Sequence, residues 1–439
     1  MNARMWLLLL AGLAVGVGQP MQGTYVVSLA GGGDFTSFSQ AVGALLARGM
    51  SGAVVFEGTE GTYAEGMLDL RGINTSGKTL TFRAKAGHRV TIDGLGAAAI
   101  FFADFNYGAT HNVKVEGLRL TNSSTGGWPV YAVNRLNGWR ISDCEFDTPS
   151  GPWFNGSYDS VVGCKLRLTG NNGVYLYSSS NCWVVNNFVS GVRMSGIYFN
   201  SASGNMVCNN TVITDSTAAN AMGLYQNQSS NTFYNNVVVA SSYCLYTGSQ
   251  PAYSDFNCWY RHSGDSRLFY LSNVGAMGLL NWRSRSGNRL DMNSMEADPL
   301  VVDRVNDLHL QPASPCIDAG MTVAGVTTDI DGQPRTVPYD IGADEYHPVG
   351  LADNSRYQIL DGRLQIEPNP ACGQVAIRLP PTAGCSELRL YDAAGNCVLT
   401  RSFGRLTTGS LTLDLRGIAA GVYLVRLASG PYSNKLIVR

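Results

Sequence analysis

The chain has 439 residues, of which 45% are hydrophobic and only 14% are charged, and its formal net charge is −1. This length allows more than one domain, and the balanced charge argues against a nucleic-acid-binding protein. The 51 glycines are typical of a β protein with many turns.

Residues 1–18 are predicted to be a secretory signal peptide. Arg4 gives a positive start, residues 6–17 form an apolar core, and Gly16-Val17-Gly18 is a small-residue cleavage site. The apolar run is too short to span a membrane, and the alternative is an uncleaved anchor.

An amphipathic helix is predicted near the start of the mature chain. Ser37-x-x-Gln40 matches a capping box, and Gly49 follows the last apolar residue of the pattern. Strands are predicted at residues 25–29, 54–56 and 80–82. A stack of repeats needs a cap, so we place this helix over the open end of the core.

Residues 129–259 repeat a unit of about two dozen residues. Aromatic residues recur every 21 to 27 residues, and two further columns share that period. The runs are short, β-branched or aromatic, and alternate with period two between Gly, Asn and Ser. Helical repeats would not tolerate this composition. The unit predicts one turn of a parallel β-helix with two or three strands per turn.

Two columns are predicted to face the core of this β-helix. The first is Val115, Ile141, Val161, Val184, Val207 and Phe233. The second is Leu120, Phe146, Leu166, Val189, Val212 and Val238. Between them, at a tight bend, lies the column Leu118, Cys144, Cys164, Asn187, Asn210 and Asn236. Asn tolerates left-handed backbone geometry there, and its amide can bond the equivalent Asn of the next turn.

The cysteines leave two alternatives open. Cys144 and Cys164 occupy one column on neighbouring turns, about 4.8 Å apart if the strands stack. In an exported protein they are either a disulfide or buried free thiols.

An aromatic row is predicted to face solvent along one sheet. Its members are Tyr131, Phe154, Tyr175, Tyr198, Tyr225 and Tyr246, with Tyr177, Asn200 and Asn227 two residues further on. Aromatic faces beside amides suit sugar rings, which present apolar C–H faces and hydroxyl edges. The row is a candidate groove for an extended polysaccharide, and the alternative is that the rings only stabilise the sheet.

The neighbouring sheet carries charged residues on the same repeats. Glu145 and Lys165 follow Arg119 in one column, and Asp147 and Arg167 lie two residues on. Opposite charges on adjacent turns form surface ion pairs. The functional alternative is that Glu145, Lys165, Asp147 and Arg167 are a catalytic cluster acting on an acidic sugar.

The repeat fades after residue 257, and an acidic segment follows. We expect Arg335 to clamp Asp340 or Glu345 as a bidentate pair. No cofactor is predicted, although Asp329, Asp331 and Asp340 would offer calcium hard oxygen ligands. The spacing does not fit the helix–loop–helix calcium loop.

Two parts of the predicted β-helix (residues 19–349) resemble known families. The N-terminal strands and Thr91-Ile92-Asp93-Gly94 resemble pectin-lyase-like right-handed β-helix proteins. Residues 298–346 resemble the closing segment of bacterial surface β-helix proteins. If the chain is an enzyme, the resemblance implies a polysaccharide lyase, which uses a basic residue and often calcium, or a glycoside hydrolase, which uses carboxylates. Neither site pattern matches residue by residue here.

Seven short alternating strands are predicted after residue 362, typical of an antiparallel sandwich. Glu367-Pro368-Asn369-Pro370, Leu390-Tyr391-Asp392-x-x-Gly395 and Gly421-Val422-Tyr423 resemble the motifs of type IX secretion sorting domains. The resemblance implies export across the outer membrane through the secretion machinery, followed by release or surface attachment. The alternative is an adhesive or sugar-binding sandwich that stays attached.

We therefore expect an all-β, secreted or surface-attached monomer. Its predicted parts are a signal peptide (1–18), a capped right-handed parallel β-helix (19–349), a linker (350–362) and a sorting domain (363–439). The predicted function is binding, and cleavage if the chain is an enzyme, of an extended polysaccharide along the β-helix. The alternative is a non-catalytic surface or adhesive scaffold.

Overall fold

The structure is a computed structural model that describes residues 18–122, 127–227, 230–347, 365–379, 385–392, 396–406, 409–427 and 433–439. Residues 1–17 of the predicted signal peptide and the predicted linker 350–362 lie outside the described residues. The chain divides into two compact units, residues 1–348 and 349–439, each with its own hydrophobic core.

Three sheets of ten strands form the first unit, and each turn of the chain contributes one strand to each sheet. Sheet A consists of Met21–Val27, Met50–Gly58, Leu80–Ala84, Val113–Glu116, Arg140–Ser142, Ser160–Val162, Trp183–Val185, Met206–Cys208, Thr232–Tyr234 and Tyr253–Asp255. Sheet B consists of Gly61–Ala64, Val90–Asp93, Arg119–Thr121, Glu145–Thr148, Lys165–Leu168, Phe188–Val192, Thr211–Thr214, Val237–Ala240, Cys258–Arg261 and Met295–Glu296. Sheet C consists of Leu68–Asp69, Ala99–Asp104, Trp128–Val133, Trp153–Phe154, Val174–Tyr177, Ser195–Asn200, Met222–Gln226, Leu245–Thr247, Phe269–Leu271 and Gly275–Met277. All pairs are parallel except the last pair of sheet C, which confirms the predicted parallel β-helix with three strands per turn.

The two predicted core columns are confirmed. Val115 pairs with Ile141 in sheet A, and Leu120 pairs with Phe146 in sheet B, and every member of both columns is buried. These side chains fill the interior because alternate residues of each strand point to opposite faces.

An asparagine ladder runs through the bend between sheets A and B. The Nδ2 of Asn187 donates to the Oδ1 of Asn210 at 2.9 Å, Asn210 donates to Asn236 at 3.0 Å, and Asn236 donates to Asn257 at 3.0 Å. The amide-to-amide bonding was predicted, but the left-handed geometry was assigned to the wrong residue. The residue before each ladder position has positive φ, for example Asn186 at 56°. That residue makes the turn and thereby aims the next amide into the stack.

Both ends of the β-helix are capped by helices. Helix α1 (Phe38–Arg48) buries Phe38, Ala41, Val42 and Leu45, and the Ser37 hydroxyl accepts the N–H of Gln40. The short helix α2 (Leu279–Arg285), which the sequence did not reveal, stacks Trp282 on Phe269 at the other end.

The last part of the first unit packs on the outer face of sheet B. It includes a small antiparallel pair, Val301–Asp303 with Asp307–Leu310, and we call residues 298–347 the closing segment. Its buried apolar residues Leu308 and Ile341 share a cluster with Phe188, Ile213 and Val237 of sheet B. The outer side of sheet B can be apolar around Phe188, Ile213 and Val237 because the closing segment shields these residues from water.

The second unit is a seven-stranded β domain. In spatial order its strands are Cys397–Leu406, Cys385–Tyr391, Gly421–Leu427, Ser433–Val438, Gln365–Cys372, Gln374–Leu379 and Gly409–Asp414. The pairs are antiparallel apart from a single parallel contact between Ala371 and Val438. No helix among the described residues is long and apolar enough to span a membrane.

Candidate functional site

A single column of eight aromatic side chains runs along the outer face of sheet C. In order of the turns they are Phe102, Tyr131, Trp153, Tyr175, Tyr198, Tyr225, Tyr246 and Tyr270, each in register with the next. Neighbouring ring centroids lie 4.5 to 5.6 Å apart. We call this set the aromatic column.

One predicted member was wrong. Phe154 is completely buried and pairs with Ala132 and Leu176, which face the core. Trp153 occupies the outward position instead, in register with Tyr131 and Tyr175. Both residues of this two-residue strand are aromatic, so side-chain type could not show which of them faces solvent.

The rings pack on one another more closely than a sugar-stacking platform would. Tyr175 and Tyr198 are stacked with an interplanar angle of 12°, and Tyr225 and Tyr246 with an angle of 11°. Their faces are therefore covered by neighbouring rings. Where the rings stack in this way, the column presents ring edges and phenol hydroxyls to solvent rather than the open faces that the sequence led us to expect, whereas Tyr198 and Tyr225 meet edge to face at 70°.

A column of polar side chains runs beside the rings. The Nδ2 of Asn200 donates to the hydroxyl oxygen of Tyr175 at 3.0 Å, and the Nδ2 of Asn227 donates to the Oδ1 of Asn200 at 3.1 Å. Tyr177 belongs to the same column and is 38% exposed. The predicted adjacency of these three side chains to the aromatic column is observed: Asn200 and Asn227 form a hydrogen-bonded strip along it, and the Tyr177 ring contacts Trp153 and Tyr175.

Tyr131, Tyr175 and Tyr198 of the column are neutral at physiological pH. Burial raises the pKa of Tyr131 and of Tyr175, and burial together with the neighbouring phenols raises the pKa of Tyr198 to about 12. Neutral phenols both donate and accept hydrogen bonds, which is the capacity that a hydroxyl-rich ligand requires.

The N-terminal end of the column carries charges that the sequence reasoning missed. Asp69 is in register with Phe102, and Arg71 forms an ion pair with Asp69 at 2.6 Å while lying over the Phe102 ring. Asp104, two residues beyond Phe102, accepts the Nδ2 of Asn134 at 2.6 Å. Extending the 20-to-27-residue period toward the N-terminus could have found these residues, but their repeats are irregular in length.

At the other end, a cavity of about 610 Å³ lies beside the last two turns. Gly248 and Ser272, two residues beyond Tyr246 and Tyr270, are among its lining residues, as is the exposed Arg285. The polar column is recessed here because glycine and serine replace the larger Tyr177, Asn200 and Asn227.

The four candidate catalytic residues lie on sheet B, away from the aromatic column, and each has an ion-pair partner. Asp147 lies 2.7 Å from Arg119 and 3.8 Å from Arg167. Glu145 lies 3.3 Å from Arg89, and Lys165 lies 2.8 Å from Asp331 of the closing segment. The arrangement is that of partly exposed surface ion pairs.

The expected Arg335 clamp is made with Glu345, through a single contact of 3.1 Å between buried side chains. The other guanidinium nitrogen donates to Asn186 and to two backbone carbonyl oxygens. Asp340 instead accepts backbone N–H groups of Asp318 and Tyr346, so it takes no part in the clamp.

The three predicted calcium ligands have other partners in the closing segment. Asp329 accepts the backbone N–H groups of Asp331 and Gln333. Asp331 bonds Lys165 and the Nε2 of His309, the latter at 2.6 Å. Among the described residues, the one group of three metal-ligating side chains that converge is His309, Asp331 and Asp344.

Comparisons with known proteins match two parts of the chain to family models. Residues 84–262 match the family model described as periplasmic copper-binding protein (NosD), and residues 365–439 match the secretion system C-terminal sorting domain. A solved pectate lyase, Pel9A, is similar over 75% of this chain and 98% of its own, with 13% identity and a TM-score of 0.41. No curated protein matches the chain. The sorting domain identifies a protein exported by type IX secretion to the cell surface or the extracellular space.

Proposed function

We propose that this secreted parallel β-helix protein binds an extended polysaccharide along the aromatic column of sheet C. The observation that carries the proposal is the unbroken register of eight aromatic side chains with an amide strip beside them. A periodic row of aromatic groups, six of them tyrosines, suits a ligand that is itself periodic.

The mode of binding follows from the ring orientations. Because ring faces are covered, the ligand would contact ring edges, phenol hydroxyls and the amides of Asn200 and Asn227. Hydroxyl groups of sugars are donors and acceptors at once, as neutral phenols and amides are. Binding would rest on many modest hydrogen bonds, each contributing about 0.5–1.5 kcal/mol.

The arrangement of the rest of the β-helix unit favours the outer face of sheet C as the binding surface. The closing segment covers the outer face of sheet B from Phe188 to Cys258, whereas the rings of Tyr198, Tyr225 and Tyr246 on sheet C remain partly exposed. Arg71 at one end of the column and Arg285 at the other are suited to contact the ends of a bound segment.

Cleavage of the polymer by the charged residues of sheet B is less favoured than binding. Glu145 and Asp147 are ion-paired on sheet B, so they lie outside the surface that would hold the polymer. The copper binding named in the family description is not carried over. In residues 84–262, the Nδ1 atoms of His88 and His111 accept the backbone N–H groups of Glu60 and Asn137, and the Nε2 of His262 is hydrogen-bonded to the Thr214 carbonyl oxygen. The converging group of His309, Asp331 and Asp344 lies outside this range.

The test removes the phenol hydroxyls of two tyrosines and keeps their aromatic rings in the column. In the variant Tyr198→Phe, Tyr225→Phe the rings remain, and we expect affinity for the bound polymer to fall at least about fivefold. The matched control is Tyr234→Phe, Tyr253→Phe, a contacting tyrosine pair on sheet A. Binding is measured by affinity electrophoresis and calorimetry against neutral and uronate-containing polysaccharides, with reducing ends and unsaturated products followed in parallel.

The outcomes separate the alternatives. Binding that is lost in the sheet C variant and kept in the control supports the proposal. No binding to any polymer, or equal affinity in both variants, would contradict it and favour the non-catalytic scaffold. Formation of product would show that the surface also supports cleavage.

A further inference from the structure

We infer that Cys258 and Cys316 form a disulfide in the exported protein and tie the closing segment to sheet B. Cys258 begins the strand Cys258–Arg261, in register with Val237, and both side chains belong to the apolar cluster outside sheet B. Cys316 lies in the closing segment, in the same cluster. Both side chains are completely buried, and the Cys316 thiol is near enough to Cys258 to raise the pKa of the Cys258 thiol.

The two cysteines join elements that nothing else links covalently. The segment carrying Cys316 is held to the β-helix by hydrogen bonds, such as the one from the Met321 N–H to the Oδ1 of Asn235 at 2.9 Å. It covers Phe188, Ile213 and Val237, which would face water if it moved away. A bond at this point would close a loop of about 60 residues, a length at which a disulfide restricts the unfolded chain strongly.

A second pair of neighbouring thiols, Cys144 and Cys164, is a poorer candidate. These two lie side by side in one column on adjacent parallel strands, where side chains point in the same direction about 4.8 Å apart. A disulfide needs Cβ atoms about 3.5–4.5 Å apart, so this pair would have to pull its strands together. Their thiols already donate to the carbonyl oxygens of Ser142 and Val162. The Cys258 thiol also donates to a carbonyl oxygen, that of Ala297 at 3.2 Å, but Cys316 sits on an irregular segment, so no strand register fixes the separation of this pair.

The chemistry needs an external oxidant. A disulfide-bearing oxidant, a thiol–disulfide oxidase of the envelope or oxidised glutathione in vitro, accepts two electrons and two protons from the thiols and leaves as two thiols. One S–S bond is formed and one is broken. The neighbouring Cys316 thiol and burial together raise the pKa of Cys258, so the folded Cys258 thiol is a poor nucleophile, and oxidation must precede docking of the closing segment.

Peptide mapping tests the inference directly. The protein is recovered after export, without reductant, denatured in guanidinium with N-ethylmaleimide, digested and analysed by mass spectrometry. We expect one linked peptide pair, containing Cys258 and Cys316 and lighter by two hydrogen atoms than the separate peptides, and alkylated Cys144 and Cys164. Alkylation of both Cys258 and Cys316 would overturn the inference, as would a linked pair that joins either of them to another cysteine.

Thermal unfolding supplies a second measurement on the intact protein. Dithiothreitol should lower the Tm of the wild type by roughly 8 °C. It should leave the Tm of the Cys258→Ser, Cys316→Ser variant unchanged, while the Cys144→Ser, Cys164→Ser control keeps the full response. A response to reductant that persists in the first variant would contradict the assignment.

Discussion

One buried carboxylate in the bend between sheets C and A is only partly satisfied. The Oδ1 of Asp159 accepts the N–H of Trp139 at 2.8 Å, but its Oδ2 has no partner among the described residues. Asn205 and Asn231, further along the same column, fill this position with amides that bond one another. Burial raises the pKa of Asp159 well above its ordinary value, so its charged form destabilises the fold.

We therefore predict that Asp159→Asn stabilises the protein at neutral pH by about 1–3 kcal/mol. The pKa of this carboxyl is higher in the folded state, so the folded state holds its proton more tightly. As pH rises above the ordinary value of 3.8, wild-type stability must then decrease relative to that of the variant. Urea unfolding between pH 4 and 8 checks this. Asp255→Asn is the control, because the Asp255 carboxylate accepts three hydrogen bonds and its replacement should destabilise.

At Gly196 in sheet C, adjacent turns are too close to leave room for a larger residue. A Cβ added to Gly196 would lie 2.2 Å from the Cγ1 of Val212 and 2.6 Å from the carbonyl oxygen of Gly223. Gly196→Ala should lower the free energy of unfolding by at least about 2 kcal/mol, because the turns cannot separate locally. In the exposed interior of helix α1, Gly43 has nothing within 4 Å of such a Cβ, so Gly43→Ala should stabilise by up to about 1 kcal/mol. Urea unfolding of both variants checks the pair, and a stable Gly196→Ala protein would contradict the prediction.

At the scale of the strand and the bend, sequence periodicity predicted most of what the structure contains. Val115 and Leu120 were correctly placed in the core because their columns are apolar on every turn. Trp153 and Phe154 were exchanged because both alternating positions are aromatic there. The aromatic column reaches from Phe102 to Tyr270, further than predicted, because turns of irregular length hide the period at both ends.

The asparagine ladder gives a prediction at this scale. The Nδ2 of Asn210 donates to the carbonyl oxygens of Val184 and Cys208 and to the Oδ1 of Asn236. Asn210→Asp keeps the shape but turns this donor into an acceptor facing three acceptors. We expect a loss of about 3 kcal/mol or more in the free energy of unfolding, measured by urea denaturation. Asn227→Asp, on the partly exposed strip of sheet C, is the control and should change stability by less than about 1 kcal/mol. Equal losses at the two positions would show that the ladder has no special role.

For the whole molecule, the arrangement of the closing segment could not be predicted from local pattern. Lys165 pairs with Asp331, and Arg335 bonds Asn186, across 166 and 149 residues of sequence. No period relates these residues, because the closing segment is not a repeat and docks on the outside of sheet B. The charged residues of sheet B were therefore open to a catalytic interpretation that their partners do not support.

The two units should unfold and act separately. The core of the β-helix and the core of the sorting domain share no residue, and each is built from its own strands. We expect calorimetry of the full chain to show two transitions, and we expect a chain truncated after residue 347 to keep the Tm of the β-helix transition.

Because the sorting domain directs type IX secretion, the truncated chain should accumulate inside the cell envelope and be absent from the surface and the medium. Immunoblots of cell fractions check this, with the full-length variant Tyr198→Phe, Tyr225→Phe as a control that should be exported normally. Export of the truncated chain, or a large fall in its Tm, would show that the units depend on each other.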